Sequence, residues 1–114
     1  MTQEKLILAI DLGTSGMKVA LISVSGEVLG WEAEPVRLIL TPDGGAEQSP
    51  EEWWQAFLSA AGRGMKQNQG AGSNVIAVCA STQGEGTVAV DKEGNAIGNA
   101  ILWMDMRGAA NLKK

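Results

Sequence analysis

The stretch LILAIDLGTSGMK, residues 6–18, gathers a carboxylate, two hydroxyls and an ammonium around a turn of small residues. Asp11 ends an apolar run, Gly13, Thr14, Ser15 and Gly16 come after it, and Lys18 stands beyond Met17. A carboxylate at a strand end can hold a hydrated Mg2+ near phosphate oxygens. Mg2+ keeps several waters and needs only one or two carboxylates when phosphates complete its shell. Gly13 and Gly16 let backbone N–H groups approach an anion. Thr14 and Ser15 add hydroxyl donors, and Lys18 offers a compact positive charge to phosphate. The motif is neither G-x-x-x-x-G-K-[ST] nor G-x-G-x-x-G before a helix. The residues after the turn read as a strand, so the architecture is a phosphate-binding hairpin. Asp-x-Gly-Thr-Ser-Gly is also a good turn on structural grounds alone. Lys18 has a bland reading too, as a solvated strand lysine, although its apolar flanks call for a charge partner.

The elements that position these groups can be read from periodicity. Residues 6–10 and 17–24 are apolar on both alternation phases, as in strands covered on both faces. Ser25-Gly26 reads as a tight turn into a third strand at 28–33, which Pro35 ends. Three antiparallel strands therefore open the chain. After the polar loop TPDGGAEQ comes a helix signal: Ser49 as N-cap, Pro50 at the first position and Glu52 completing a capping box. Trp54, Phe57, Leu58, Ala61 and Met65 form its apolar face. Residues 74–80 predict a central strand parallel to the first, with Cys79 as a small buried hydrophobe. Thr87–Val90 and Ala96–Trp103 flank DKEGN as a second hairpin. RGAANLKK resembles the opening of a helix without a completed stripe, which reads as a fragment of something longer.

Composition narrows the class. The chain has 114 residues, 45% hydrophobic and 19% charged, with a net charge of −4, so the length prior is one domain. No basic run suggests nucleic acid. The start, MTQEK, leads into an apolar run too short for a signal peptide or a membrane span. One cysteine excludes an intrachain disulfide and fits a reducing, cytoplasmic setting. The lack of histidine removes the usual general base.

Three segments together resemble the N-terminal part of the FGGY carbohydrate kinases: IDLGTSGMKVALIS, AEQSPEEWW and AILWMDMR. The first alone also resembles Hsp70-, actin- and hexokinase-like ATPases; the other two are more specific. The resemblance implies an α/β fold of two actin-like (ribonuclease H-like) domains about a cleft, with a mixed sheet. Residues 1–114 would form part of the N-terminal, sugar- and phosphate-binding domain. The ATP-binding domain, the catalytic base and the adenine site would lie beyond residue 114, leaving the chain inactive alone and prone to self-association or homo-oligomer formation. It implies ATP and Mg2+ as cofactors, with Asp11 toward the metal and Gly13, Thr14, Ser15 and Lys18 toward phosphate.

For the sugar or polyol, the resemblance points to Gln83, Gly84 and Glu85, then to Trp103, Asp105 and Arg107. Gln83 and Glu85 match family positions, and Gly84 stands where a bulkier residue is usual, which would widen the pocket. A carboxylate suits a pair of hydroxyl donors. An aromatic face can pack on the C–H side of a sugar, and a spacing of two puts Trp103, Asp105 and Arg107 on one side of an extended segment. The structural readings are a solvated Glu85 in a surface turn, a core Trp103, and an Asp105 that pairs with Arg107 or caps a helix. The competing class is a nucleotide-binding or scaffold module of the actin/Hsp70-like fold without sugar kinase activity.

Overall fold

The computed structural model describes residues 4–112. Its main sheet has four strands: β1 (Leu6–Gly13), β2 (Gly16–Ser23), β3 (Val28–Pro35) and, after the helix, β6 (Val75–Thr82). They lie in the order β3-β2-β1-β6. The first three are antiparallel neighbours, and β6 runs parallel to β1, as the apolar runs predict. A second, three-stranded sheet joins β4 (Ile39–Leu40), β5 (Ala46–Gln48) and β7 (Ala100–Ile101). The loop expected at TPDGGAEQ therefore contains β5. It pairs with the nearby β4 and, on its other side, with β7 more than 50 residues away, a pairing that local pattern does not disclose.

One helix, α1 (Pro50–Gln67), packs on the main sheet. Ser49 caps it, its hydroxyl accepting from the Glu52 N–H at 3.3 Å. The reciprocal half of the capping box is absent. The Glu52 carboxylate instead takes hydrogen bonds from the Arg37 backbone and guanidinium. The helix is also turned from its expected face. Ala56 and Ala60 are buried, with Trp53, Phe57, Ala61 and Met65 around them, whereas Trp54 and Leu58 are exposed. Two causes are visible. Small side chains at 56 and 60 let the helix approach Met17, Val19 and Leu21 of β2. On the same side, Arg63 donates to Glu32 and Glu34 of β3 at 2.9 and 2.6 Å and Ser59 donates to Glu34, which sets the rotation.

Helix cover reaches one face of the sheet only. Leu6 and Leu8 point to α1, while Ile7 and Ala9 face the other way and stay half-buried. The expectation of strands covered on both faces is thus met on one face among the described residues. β6 lies at the edge, beyond the helix, and Cys79 is exposed, not buried. At the 87–103 hairpin the turn forms, with Asp91 Oδ1 accepting from Glu93 and Asn95 N–H groups. Its arms are held only by bridges at Thr87–Ile101 and Val90–Ala96. Residues 109–111 form one short 3-10 turn; Lys113 and Lys114 lie outside the described residues.

Candidate functional site

The β1–β2 hairpin puts Asp11 directly opposite Lys18 and Gly13 opposite Gly16, with Thr14 and Ser15 at the tip. Cross-strand register brings Lys18 Nζ to 3.1 Å from Asp11 Oδ2, so the lysine has the charge partner that its apolar flanks require. Both side chains remain about half exposed, open to a ligand. Lys18 also reaches back to the tip: a Cβ on Gly13 would lie 3.9 Å from its Nζ. Gly16 has a different reason to be glycine. A Cβ there would sit 2.5 Å from the Glu34 carbonyl of β3, so close strand packing accounts for it without a ligand.

Behind the tip is a closed ring of hydrogen bonds. Thr14 Oγ1 donates to Gln83 Oε1 at 3.3 Å, Gln83 Nε2 donates to Gln48 Oε1 at 2.9 Å, and Gln48 Nε2 donates to the Thr14 carbonyl at 2.7 Å. Two indoles join it: Trp53 Nε1 donates to Gln48 Oε1 at 3.1 Å, and Trp103 Nε1 to Thr14 Oγ1 at 3.4 Å. Gln83 is placed by the end of β6, its N–H donating to the Leu12 carbonyl at 2.7 Å. The sequence places Gln48 and Trp53 in the AEQSPEEWW helix entry but gives neither a part in the site. Only tertiary structure buries the glutamine and brings it to Thr14 and Gln83.

Gln83, Gly84, Glu85 and Trp103 line one depression of about 320 Å³. Gly84 leaves it open, with no atom within 4 Å of where its Cβ would be. Glu85 sits between two glycines with φ of +58°, a left-handed conformation disfavoured for a residue with a side chain. Four of the six residues expected at the sugar are thus together.

Asp105 and Arg107 are elsewhere engaged and do not line that depression. Segment 103–107 is not extended: the Asp105 N–H closes a turn on the Leu102 carbonyl at 3.0 Å. Spacing therefore does not align the three side chains. Asp105 is almost wholly shielded and accepts from Arg107 Nη2 at 2.6 Å and from the Ala46 N–H at 2.9 Å. The Arg107 guanidinium beside it, and then that backbone donor, hold its carboxyl well below the usual carboxylate range. Arg107 also pairs with Glu47 at 2.7 Å. Together these bonds fasten the segment behind Trp103 to β5.

The donor set defines what metal could be held. Among the described residues no three His, Cys, Asp or Glu side chains cluster as a cation cage. Asp11 alone, half exposed at a strand end, fits a hydrated Mg2+ that brings its phosphates with it and does not fit a resident ion.

Comparison with known proteins bears on this arrangement. Residues 6–114 match the FGGY family of carbohydrate kinases, N-terminal domain. The xylulose kinase of Escherichia coli (strain K12) is 36% identical over 104 residues, 90% of this chain and 21% of that protein. A glycerol kinase of Janthinobacterium sp. (strain Marseille) is 33% identical over 108 residues, 94% of this chain and 22% of the relative. A solved xyloylose kinase from Brucella ovis superposes with a TM-score of 0.88 at 29% identity, over 94% of this chain and 23% of the other. The chain thus spans about a fifth of the length of these relatives. With its strand order, hairpin and motif segments in agreement with a match along nearly its whole length, the chain belongs to the FGGY family of carbohydrate kinases, within the family's N-terminal domain.

Proposed function

We propose that these residues form the sugar- and phosphate-binding side of a kinase that transfers the γ-phosphoryl group of ATP to a hydroxyl of a small sugar or polyol. The observation that carries this reading is the junction at Thr14. It joins the hairpin bearing Asp11 and Lys18 to the depression formed by Gln83, Gly84, Glu85 and Trp103. Phosphoryl transfer depends mainly on positioning and on stabilising charge, and both groups are present here. Gly13, Thr14, Ser15 and Lys18 would bind phosphate. Asp11 would hold Mg2+ through its waters, and the metal would supply neutralisation of phosphate charge. Glu85 would accept from substrate hydroxyls, with Gln83 and the Trp103 ring lining the same depression. Asp105 and Arg107 would act by holding that platform, and through whatever part of their surface a substrate reaches. The adenine site and catalytic base would come from residues outside 1–114, in a second, ATP-binding domain. Among the described residues no helix is long and apolar enough to cross a membrane; a cytoplasmic location is part of the proposal.

The test is a coupled ADP-release assay of the full-length protein with glycerol, erythritol, xylulose, ribulose and gluconate. Turnover that depends on one or more of them is expected. ATP hydrolysis indifferent to all five would favour a nucleotide-binding scaffold and defeat the kinase reading.

A further inference from the structure

We infer that Gln48 is a positioning residue that sets the distance between the phosphate hairpin and the acceptor pocket. This inference rests on the kinase reading above. Glutamine is mostly a surface residue, yet Gln48 is 0% exposed. Burying an amide costs free energy unless its groups are paired. Here they are paired with groups from three separate parts of the chain. Its Nε2 donates to the Thr14 carbonyl at the hairpin tip, and its Oε1 accepts from Gln83 after β6 and from Trp53 in α1. The bond from Thr14 Oγ1 to Gln83 closes the ring.

The ring holds two things that must not drift apart during phosphoryl transfer. Thr14 lies between the groups proposed to hold phosphate, and Gln83 opens the depression proposed to hold the acceptor. Outside this ring the tip is held by few contacts. Its cross-strand bonds govern its own two strands, Gly16 packs against the end of β3, the Val36 N–H beyond β3 donates to the Ser15 carbonyl at 3.3 Å, and the Trp103 indole donates to Thr14 Oγ1 at 3.4 Å. Gln48 itself sits where β5 hands over to the Ser49 cap of α1, a point fixed by both layers. It lines neither of the depressions at Gln83–Glu85, so its effect would pass through Thr14 and Gln83. Misplacement of reacting groups by about 1 Å can cost about 100-fold in rate.

The experiment uses the full-length protein with ATP and with glycerol or D-xylulose as acceptor, each variant assayed well below its own Tm. Gln48→Met keeps side-chain length and removes every hydrogen bond. We expect kcat to fall about 10- to 100-fold, with acceptor Kd and ATP KM changed less than about threefold. Gln48→Asn keeps the amide but is one methylene short of the Thr14 carbonyl. It is expected to show the same split and serves if the methionine variant does not fold. An unchanged kcat beside a lowered Tm would reduce Gln48 to packing and overturn the inference. A raised acceptor Kd with kcat intact would overturn it as well. A wild-type protein without sugar-dependent turnover would remove the kinase reading and this role together, whereas an active wild type with unaffected variants would remove this role alone.

Discussion

Asp11 and Glu85 carry the two chemical claims that single substitutions separate most cleanly. Asp11 faces an ammonium 3.1 Å away and remains half exposed, as a group would that organises metal and phosphate charge. That charge matters most in the transition state. In the full-length protein, Asp11→Asn should therefore lower kcat by a larger factor than it raises the sugar KM; steady-state kinetics with a normal kcat would remove Asp11 from the reaction. Glu85 offers a sharper contrast because its backbone is strained. Glu85→Gln keeps the strain and loses a charged acceptor, worth roughly 1.5–3 kcal/mol, so sugar affinity should fall about tenfold or more while ATP affinity holds. Glu85→Gly should lose the same affinity and gain stability. Left-handed backbone costs a residue with a Cβ about 1–2 kcal/mol, against the roughly 0.5–1 kcal/mol of extra chain entropy that glycine must give up. The net gain expected in urea unfolding is between about 0 and about 1.5 kcal/mol. Loss of stability in the glycine variant would show that the φ of +58° stores nothing for function.

Among the elements, ionic contacts fasten α1 to β3 and the 103–107 segment to β5, and their pH dependence is distinctive. Asp105 is held below the usual carboxylate range by Arg107 and by the Ala46 N–H. Glu32 is lowered by hydrogen bonds from Arg63 and Gln67, and Glu34 by those from Arg63 and Ser59. A carboxylate whose folded pKa is depressed contributes its full stability above its unfolded value, near 4, and loses it as pH falls through the folded one. The folded chain should therefore be insensitive to pH from about 7 to about 5 on this account and weaken below about 4. Asp105→Asn should be less stable at neutral pH and show a shallower acid slope, measured by urea unfolding from neutral pH down to about pH 2.5, below the unfolded carboxylate range. Parallel slopes for wild type and variant would reject the assignment. Elements such as these were unequally legible in the sequence. Strands β1, β2 and β3, the parallel β6 and the start of α1 follow from apolar runs, turn residues and a cap, all local signals. The rotation of α1 does not, because Ala56 and Ala60 gain their importance only from the strands that they approach. The pairing of β5 with β7 and the burial of Gln48 are invisible for the same reason: each is created by partners far along the chain. At the site, the hairpin could be read from residue types, and the pairing of Asp105 with Arg107 is one of the structural readings; the turn at Leu102–Asp105 was not legible, because spacing reads the segment as extended.

At the scale of the whole molecule, the 114 residues leave apolar surface open. Trp31 and Val28 are 65% and 58% exposed on the face of the sheet without a helix, and β6 presents an edge. Uncovered edges and apolar faces favour association, so this chain by itself should self-associate, and Trp31→Lys should reduce the association; sedimentation showing a strict monomer at high concentration would count against it. The same chain should not phosphorylate any sugar at a useful rate, and the reason is a product of separate losses. It has no histidine, and its carboxylates near the hairpin and pocket are Asp11, already paired with Lys18, and Glu85, assigned to substrate hydroxyls. A positioned general base typically contributes about 10²–10⁴-fold. Phosphates would be held at Gly13–Lys18 without a site for the base of the nucleotide, and Mg2+ would bind poorly to one carboxylate when the nucleotide is loosely held. Water would reach the reacting groups, since the depression at Gln83–Glu85 and Trp103 is open and closure over it would need a second domain. The measurement is a coupled ADP-release assay on the purified 114-residue chain with glycerol, erythritol, xylulose, ribulose and gluconate. Sugar-dependent turnover above about 1 s⁻¹, the low end of ordinary enzyme rates, would mean that these residues hold a base and a nucleotide site of their own, and that the division of labour proposed for the two sides of the cleft is wrong.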